Sequence, residues 1–245
     1  MTWTRIAAAL VCAVVLGGFA GGSTLFGQSS QPTDAIAEVR QSLAAARKEI
    51  DAYRAAGGAP GAADHPAIKW DAALWAYRER YPRSEAAAIA STEAVRFLVR
   101  AELWDRAHAR VDSIDANDSA WERLPAVIYE EGIARKNLQY SIEKIAKAAA
   151  GTANPRIKAS ALIVLGRAYR RQGDNGAAVR SLEAAKAAAP GTPFATDADG
   201  LIYEITHLSV GLPAPAISAT ARSGRAVSLS GFRGKLVVLV FWGTT

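Results

Sequence analysis

"LIVLGRAYRRQGDNGAAVRSLEAAKAAAP", residues 162–190, decides how the chain folds. Leu162, Leu165 and Tyr169 recur at the three- and four-residue spacing of a helix face, and Leu182 and Ala185 resume it after a break. The break is Gly173-Asp174-Asn175-Gly176, which suits a tight turn and not a continuing helix. Two helices therefore fold back on one another here, and Pro190 closes the second. Gly166 and Ala178 are small because the two helix backbones approach closely at those positions.

The order of these residues resembles a tetratricopeptide repeat, a unit of about 34 residues built from two antiparallel helices. Each marked place is filled: Leu162, Leu165-Gly166, Tyr169, Gly173, Ala178, Leu182, Ala185 and Pro190. Working outward, further copies are worn. "FLVRAELWDRAHARV" puts Leu98, Ala107 and Val111 at the places of Tyr169, Ala178 and Leu182. Ala107 and Ala178 lie about two repeat lengths apart, and "IYEEGIARKNLQYSIEKI" fills the space between them poorly. "WDAALWAYRERYP", with Leu74, Tyr77 and Pro82, reads as the second helix of an earlier copy. Residues 66–208 thus form a helical domain of three or four pairs, just enough to bury a continuous core.

Before it lies a segment of residues 29–65. Thr33 is a plausible N-cap and Gly57-Gly58 a stop for one helix. Ile36, Val39, Leu43, Ala46, Ile50 and Tyr53 line one of its faces. That face either docks onto the chain's own helices, the reading preferred here, or pairs with a second copy. "GGAPGAADHP" then serves as a linker.

Residues 1–28 begin with Arg5, continue through an apolar core and end in small residues. This is the pattern of an export signal, with candidate cleavage points between Ala20 and Gln28. An uncleaved membrane anchor over residues 6–26 is the alternative, with the rest of the chain facing outward. Both place the protein outside the cytoplasm, in a periplasmic or similar compartment. Cys12, the one cysteine, sits inside this segment, and lipid modification is disfavoured by the bulky Val11 before it. A mature chain would contain no disulfide.

The formal net charge is +6, with a mild basic concentration from Arg156 to Arg180. Solvated helix faces account for it, and a nucleic-acid partner is not expected. "DANDSAWE" has acidic spacing, but Ala120 and Ala126 stand where a calcium loop needs Gly and Glu. Ser119 and Glu122 instead form a capping box that starts a helix at Trp121. "TDADG" before Leu201 fails as a calcium loop in the same way. His65, His108 and His207 form no ligand pair at helical spacing, so neither a metal nor a cofactor is indicated. There is no phosphate loop, dinucleotide fingerprint or nucleophile elbow. Glu130 and Glu131 are neighbours on a helix and point apart, which disfavours a catalytic pair. Trp70, Trp75, Trp104 and Trp121 read as packing between helices; a peptide groove built from some of them is the alternative.

The composition changes at residues 209–245. Pro213 and Pro215 impose an extended entry. Ser223-Gly224 is a turn between two short strands, "AISATA" and "RAVSL", and Gly231 to Gly234 forms a second turn. The run from Leu236 to Trp242 reads as a strand covered on both faces, as in the middle of a parallel sheet. The order resembles the start of thioredoxin-fold proteins of the alkyl hydroperoxide reductase/thiol-specific antioxidant (redoxin) superfamily. It is closest to exported TlpA-like thiol-disulfide oxidoreductases. The matching pieces are Val210-Gly211-Leu212-Pro213-Ala214-Pro215, Gly224-Arg225 with Val227-Ser228-Leu229, Gly234-Lys235 and Phe241-Trp242. Two places depart. Ala216-Ile217 replaces the usual Asp-Phe, and Thr245 stands where a Trp commonly precedes the first cysteine.

The resemblance implies a mainly α chain: tetratricopeptide-like repeats followed by a truncated α/β thioredoxin-fold domain, represented by its hairpin and first central strand. It implies a parent that exchanges thiols and disulfides with a redox partner protein, while the repeats hold a protein or peptide. The family's cysteines would lie beyond Thr245, so no catalytic residue is assigned within the chain and this chain is expected to be inactive. A non-catalytic repeat scaffold and a peroxiredoxin-like peroxide reductase are the two alternatives.

Overall fold

A computed structural model of the protein describes residues 32–240. The segment read as an export signal or anchor, Cys12 and Phe241-Trp242 lie outside the described residues. Nine α-helices account for most of the described chain: α1 (Pro32–Ala55), α2 (Pro66–Arg80), α3 (Glu85–Arg100), α4 (Trp104–Asp112), α5 (Leu124–Ala134), α6 (Leu138–Gly151), α7 (Pro155–Gln172), α8 (Asn175–Ala188) and α9 (Pro193–His207). The fold is mainly helical, as expected. None of these helices is long and apolar enough to cross a membrane.

Apart from α4 and α5, each helix packs on the next in sequence, and each odd-numbered helix also packs on the next odd-numbered one, from α1 through α9. Backbone packing therefore runs along the odd helices. The early even helices are joined chiefly by charged side chains. Arg110 of α4 holds Asp71 of α2 with two hydrogen bonds of 2.8 and 3.0 Å, and Lys144 of α6 binds Asp112 of α4.

The turns that end the odd helices share one device. Gly57, Glu102, Lys136 and Gly173 follow α1, α3, α5 and α7 with φ of 83°, 57°, 54° and 86°. In each case the next residue's N–H returns to a carbonyl of the last helical turn: Gly58 to Tyr53, Leu103 to Leu98, Asn137 to Gly132, Asp174 to Tyr169. This left-handed stop satisfies carbonyls that the helix end would otherwise leave free. Two of the four stops are made by glycine, which enters that conformation without steric penalty.

Three apolar clusters fill the interior. Val39, Leu43, Ala46, Leu74 and Phe97 form the first, so α1 docks its apolar face onto the chain's own α2 and α3. Leu98, Val111, Trp121, Ile128, Ile145 and Leu165 belong to the second, and Ile163, Leu182 and Ile205 to the third. Trp75 and Leu103 touch both the first and the second; Leu162 and Tyr169 touch both the second and the third. Helix crossings use small residues. Gly166 lies against Leu182 and the Ala178 carbonyl, and Gly132 against Ser141, so α5 crosses α6 closely although that stretch matched the repeat pattern poorly.

Three local expectations change. Helix α1 begins at Pro32, so Thr33 lies inside its first turn instead of capping it. The fixed φ of proline suits a first helical position. Ser119 and Glu122 do not make a capping box. Asp118 caps a short 3-10 turn, Ser119–Glu122, through the Ala120 N–H at 2.9 Å, and α5 starts only at Leu124. Glu122 is drawn away by Arg156, whose guanidinium lies 3.2 Å from it. The third change is at the end. Strands β1 (Ser218–Thr220) and β2 (Ala226–Ser228) pair antiparallel with Ala219 opposite Val227, and Gly224 turns between them at φ 80°. Leu236 to Val240, however, join no ladder and expose most of their apolar surface. A strand needs a hydrogen-bonding neighbour, and none of the described residues offers one there.

Candidate functional site

The most concentrated chemistry in the molecule lies where α4, α5 and α6 meet. Glu131 is 2% exposed, and a carboxylate so buried needs partners. It has two on a single oxygen. Arg135, one turn further along α5, donates from Nη1 to Oε1 at 2.9 Å, and Nε2 of His108 on α4 lies 2.5 Å from the same atom. The Arg135 guanidinium rests 5.4 Å from the Trp104 ring and 5.8 Å from that of Tyr140. The rings of His108 and Tyr140 are 4.6 Å apart. Burial, followed by the charges of Glu131 and Asp112, pushes the Tyr140 hydroxyl well above its ordinary range, so it stays protonated at neutral pH.

The i,i+4 pairing of Glu131 with Arg135 is visible in the sequence, since those positions share a helix face. The part played by His108 is not, because it comes from another helix. Glu130 points elsewhere, towards Arg96 and Arg100 of α3. The two glutamates thus diverge, as their adjacency on a helix requires. With its Nε2 against a fully buried carboxylate, His108 ties α4 to α5.

The tryptophans are structural, each with a polar partner where its position demands one. Trp121 is buried in the second cluster. Trp75 is flanked by Arg110 at 4.3 Å and Arg78 at 5.2 Å from its ring. Arg78 in turn reaches Asp118 at 2.8 Å, which ties α2 to the loop before α5. Trp70 donates from Nε1 to Glu49 at 2.8 Å. Trp104 lies beneath Arg135. Their partners hold the four rings at joints between helices.

Of the three histidines, His65 caps α2 by accepting the Ala67 N–H at 3.1 Å, and His207 stacks on Tyr203. Among the described residues no group of histidine, cysteine, aspartate and glutamate is arranged to hold a metal. "DANDS" forms side-chain-to-backbone turns, with Asp115 accepting from Asn117 and Asp118 from Ala120. "TDADG" is part of α9. No cysteine occurs among the described residues. No protein-family model, no curated protein and no solved structure matches the chain.

Proposed function

We propose that this chain is the partner-binding portion of an exported thiol-disulfide oxidoreductase, in which a tetratricopeptide-like helical array leads into the opening segment of a thioredoxin-like domain. One observation carries the reading: an antiparallel hairpin at Ser218–Ser228 is followed, after the Gly234 turn, by apolar residues 236–240 with their side chains uncovered. An apolar run of this kind is stable in a strand flanked on both sides and covered by helices. The redox chemistry belongs to a protein in which a cysteine-bearing segment supplies that cover. There, attack of a thiolate on a disulfide sulfur would perform exchange. The helical array contributes an extended surface and rigid joints for a protein or peptide partner.

The deciding test is the coding sequence beyond the Thr245 codon. Cys-x-x-Cys within the next few codons, with insulin-disulfide reduction by the protein so encoded, supports the proposal. A single cysteine with a distant resolving cysteine points to peroxide reduction instead. Absence of any cysteine leaves the helical array as a binding scaffold alone.

A further inference from the structure

We propose that the cleft between α1, α3 and the start of α2 binds a small organic phosphate monoester. Its dianionic head would lie among Arg47, Arg54, Arg100 and His65, and its apolar body on Ile50 and Phe97. These side chains line a cavity of about 190 Å³. This site is independent of the redox reading and of the partner surface.

His65 supplies the first argument. It is 8% exposed, and its Nδ1 accepts the Ala67 N–H as the cap of α2. That bond fixes the tautomer: the ring proton must sit on Nε2. Among the described residues Nε2 has no hydrogen-bond partner, and this largely buried residue is one of those lining the cavity. Burial and the nearby Arg54 charge lower the His65 pKa, which keeps the ring neutral and the tautomer locked at pH 7.

The arginines supply the second. Their ion pairs are long: Arg47 to Glu93 at 3.5 Å, Arg54 to Asp51 at 3.4 Å, Arg100 to Glu130 at 3.8 Å. Exposed pairs at such distances hold their partners weakly. Each guanidinium therefore keeps donors to offer an oxyanion, in the forked geometry that suits phosphate. Asp51 is the one acid among the residues lining the cavity; Glu93 and Glu130, the distant partners of Arg47 and Arg100, offset part of the arginine charge from outside it. A phosphate monoester, close to doubly charged at neutral pH, draws these guanidinium donors from such weak partners more strongly than a monocarboxylate or sulfate ester does.

Size and polarity supply the third. A cavity of about 150 Å³ accommodates a benzene ring, so this one has room for a compact apolar group beside the head. Ile50 and Phe97, both buried, form its floor.

Phenyl phosphate titrated into the full chain at low ionic strength, followed by calorimetry and by the imidazole nitrogen resonances, tests the site. Saturable binding with a shift of the His65 Nε2 signal is expected. Inorganic phosphate should bind more weakly, and benzyl alcohol should not compete. The double variant Arg54→Gln/Arg100→Gln should weaken binding about tenfold or more, since charge-assisted hydrogen bonds are lost. Both residues are exposed and the fold does not depend on them; an unchanged thermal melt verifies this. Arg40→Gln, an exposed position of α1 outside the cavity, should leave affinity unchanged. Failure to saturate, equal affinity in the double variant, or competition by benzyl alcohol would overturn the proposal.

Discussion

A methyl group on Gly166 would stand 2.7 Å from Cγ of Leu182 and 3.3 Å from the Ala178 carbonyl oxygen. Helix α7 therefore crosses α8 with no space for a side chain. Gly166→Ala gains helix propensity of about 1 kcal/mol but must displace Leu182 in a packed interior, which costs about 1–3 kcal/mol. The net expectation is destabilisation. Urea melts of Gly166→Ala, Leu182→Ala and the double variant should show strong positive coupling, because removing Leu182 opens the space the new methyl needs. Additive effects would mean that the two residues do not meet.

Glu102 and Lys136 hold left-handed backbone, at φ 57° and 54°, where Gly57 and Gly173 stand in the equivalent stops. A side chain in that conformation costs about 1–2 kcal/mol. Glu102→Gly and Lys136→Gly should each raise stability by up to about 1 kcal/mol, the unfolded chain's added freedom offsetting the remainder. Thermal melts would record the gain. A loss at both positions would contradict the shared geometry of the stops.

Arg135→Gln leaves the Glu131 carboxylate buried with His108 as its remaining side-chain partner. Leaving a buried acceptor poorly satisfied costs about 1–3 kcal/mol, and the variant should unfold at correspondingly lower urea concentration. Glu130→Gln, one residue away but facing α3 across the surface, should change stability by less than about 0.5 kcal/mol. Equal effects of the two would dissolve the distinction between the glutamates.

His65 sets a pH dependence of known sign. Burial, then Arg54, holds its pKa below the ordinary 6.5, so the unfolded chain takes up a proton more readily than the folded one. Its contribution to stability is full above pH 6.5 and is lost as pH falls from there through the lowered folded value. Protonation also removes the lone pair with which Nδ1 accepts the Ala67 N–H. His65→Asn, which can still cap a helix, should flatten this part of the stability profile.

Leu236 to Val240 predict association in solution. Consecutive uncovered aliphatic residues with free backbone groups invite pairing with another strand edge. Val238→Lys should lower light scattering of the purified chain, and amides 236–240 should exchange rapidly in the monomer. Slow exchange in a monomer would show that the segment is already paired.

Much of the helical architecture was legible because it is local. The Leu162–Pro190 pattern places both helices and their turn, and the face of α1 from Val39 to Ile50 announces the surface it buries. What escaped involves partners distant in sequence. Glu122 looks like a capping residue until Arg156 takes it, and His108 looks idle until α5 brings Glu131 to it. Composition suggests a strand at Leu236–Trp242, yet pairing depends on a neighbour that composition does not reveal. The His65 cleft was hidden for the same reason, since its arginines come from two helices and its imidazole from the head of a third.

The sharing of Trp75 and Leu103 between one pair of apolar clusters, and of Leu162 and Tyr169 between the next, has a mechanical side. Stretched between its ends, such a body yields at these joints in turn, like links on pins, instead of rupturing as one block. A single-molecule trace should accordingly record several small extensions, each the length of a few helices.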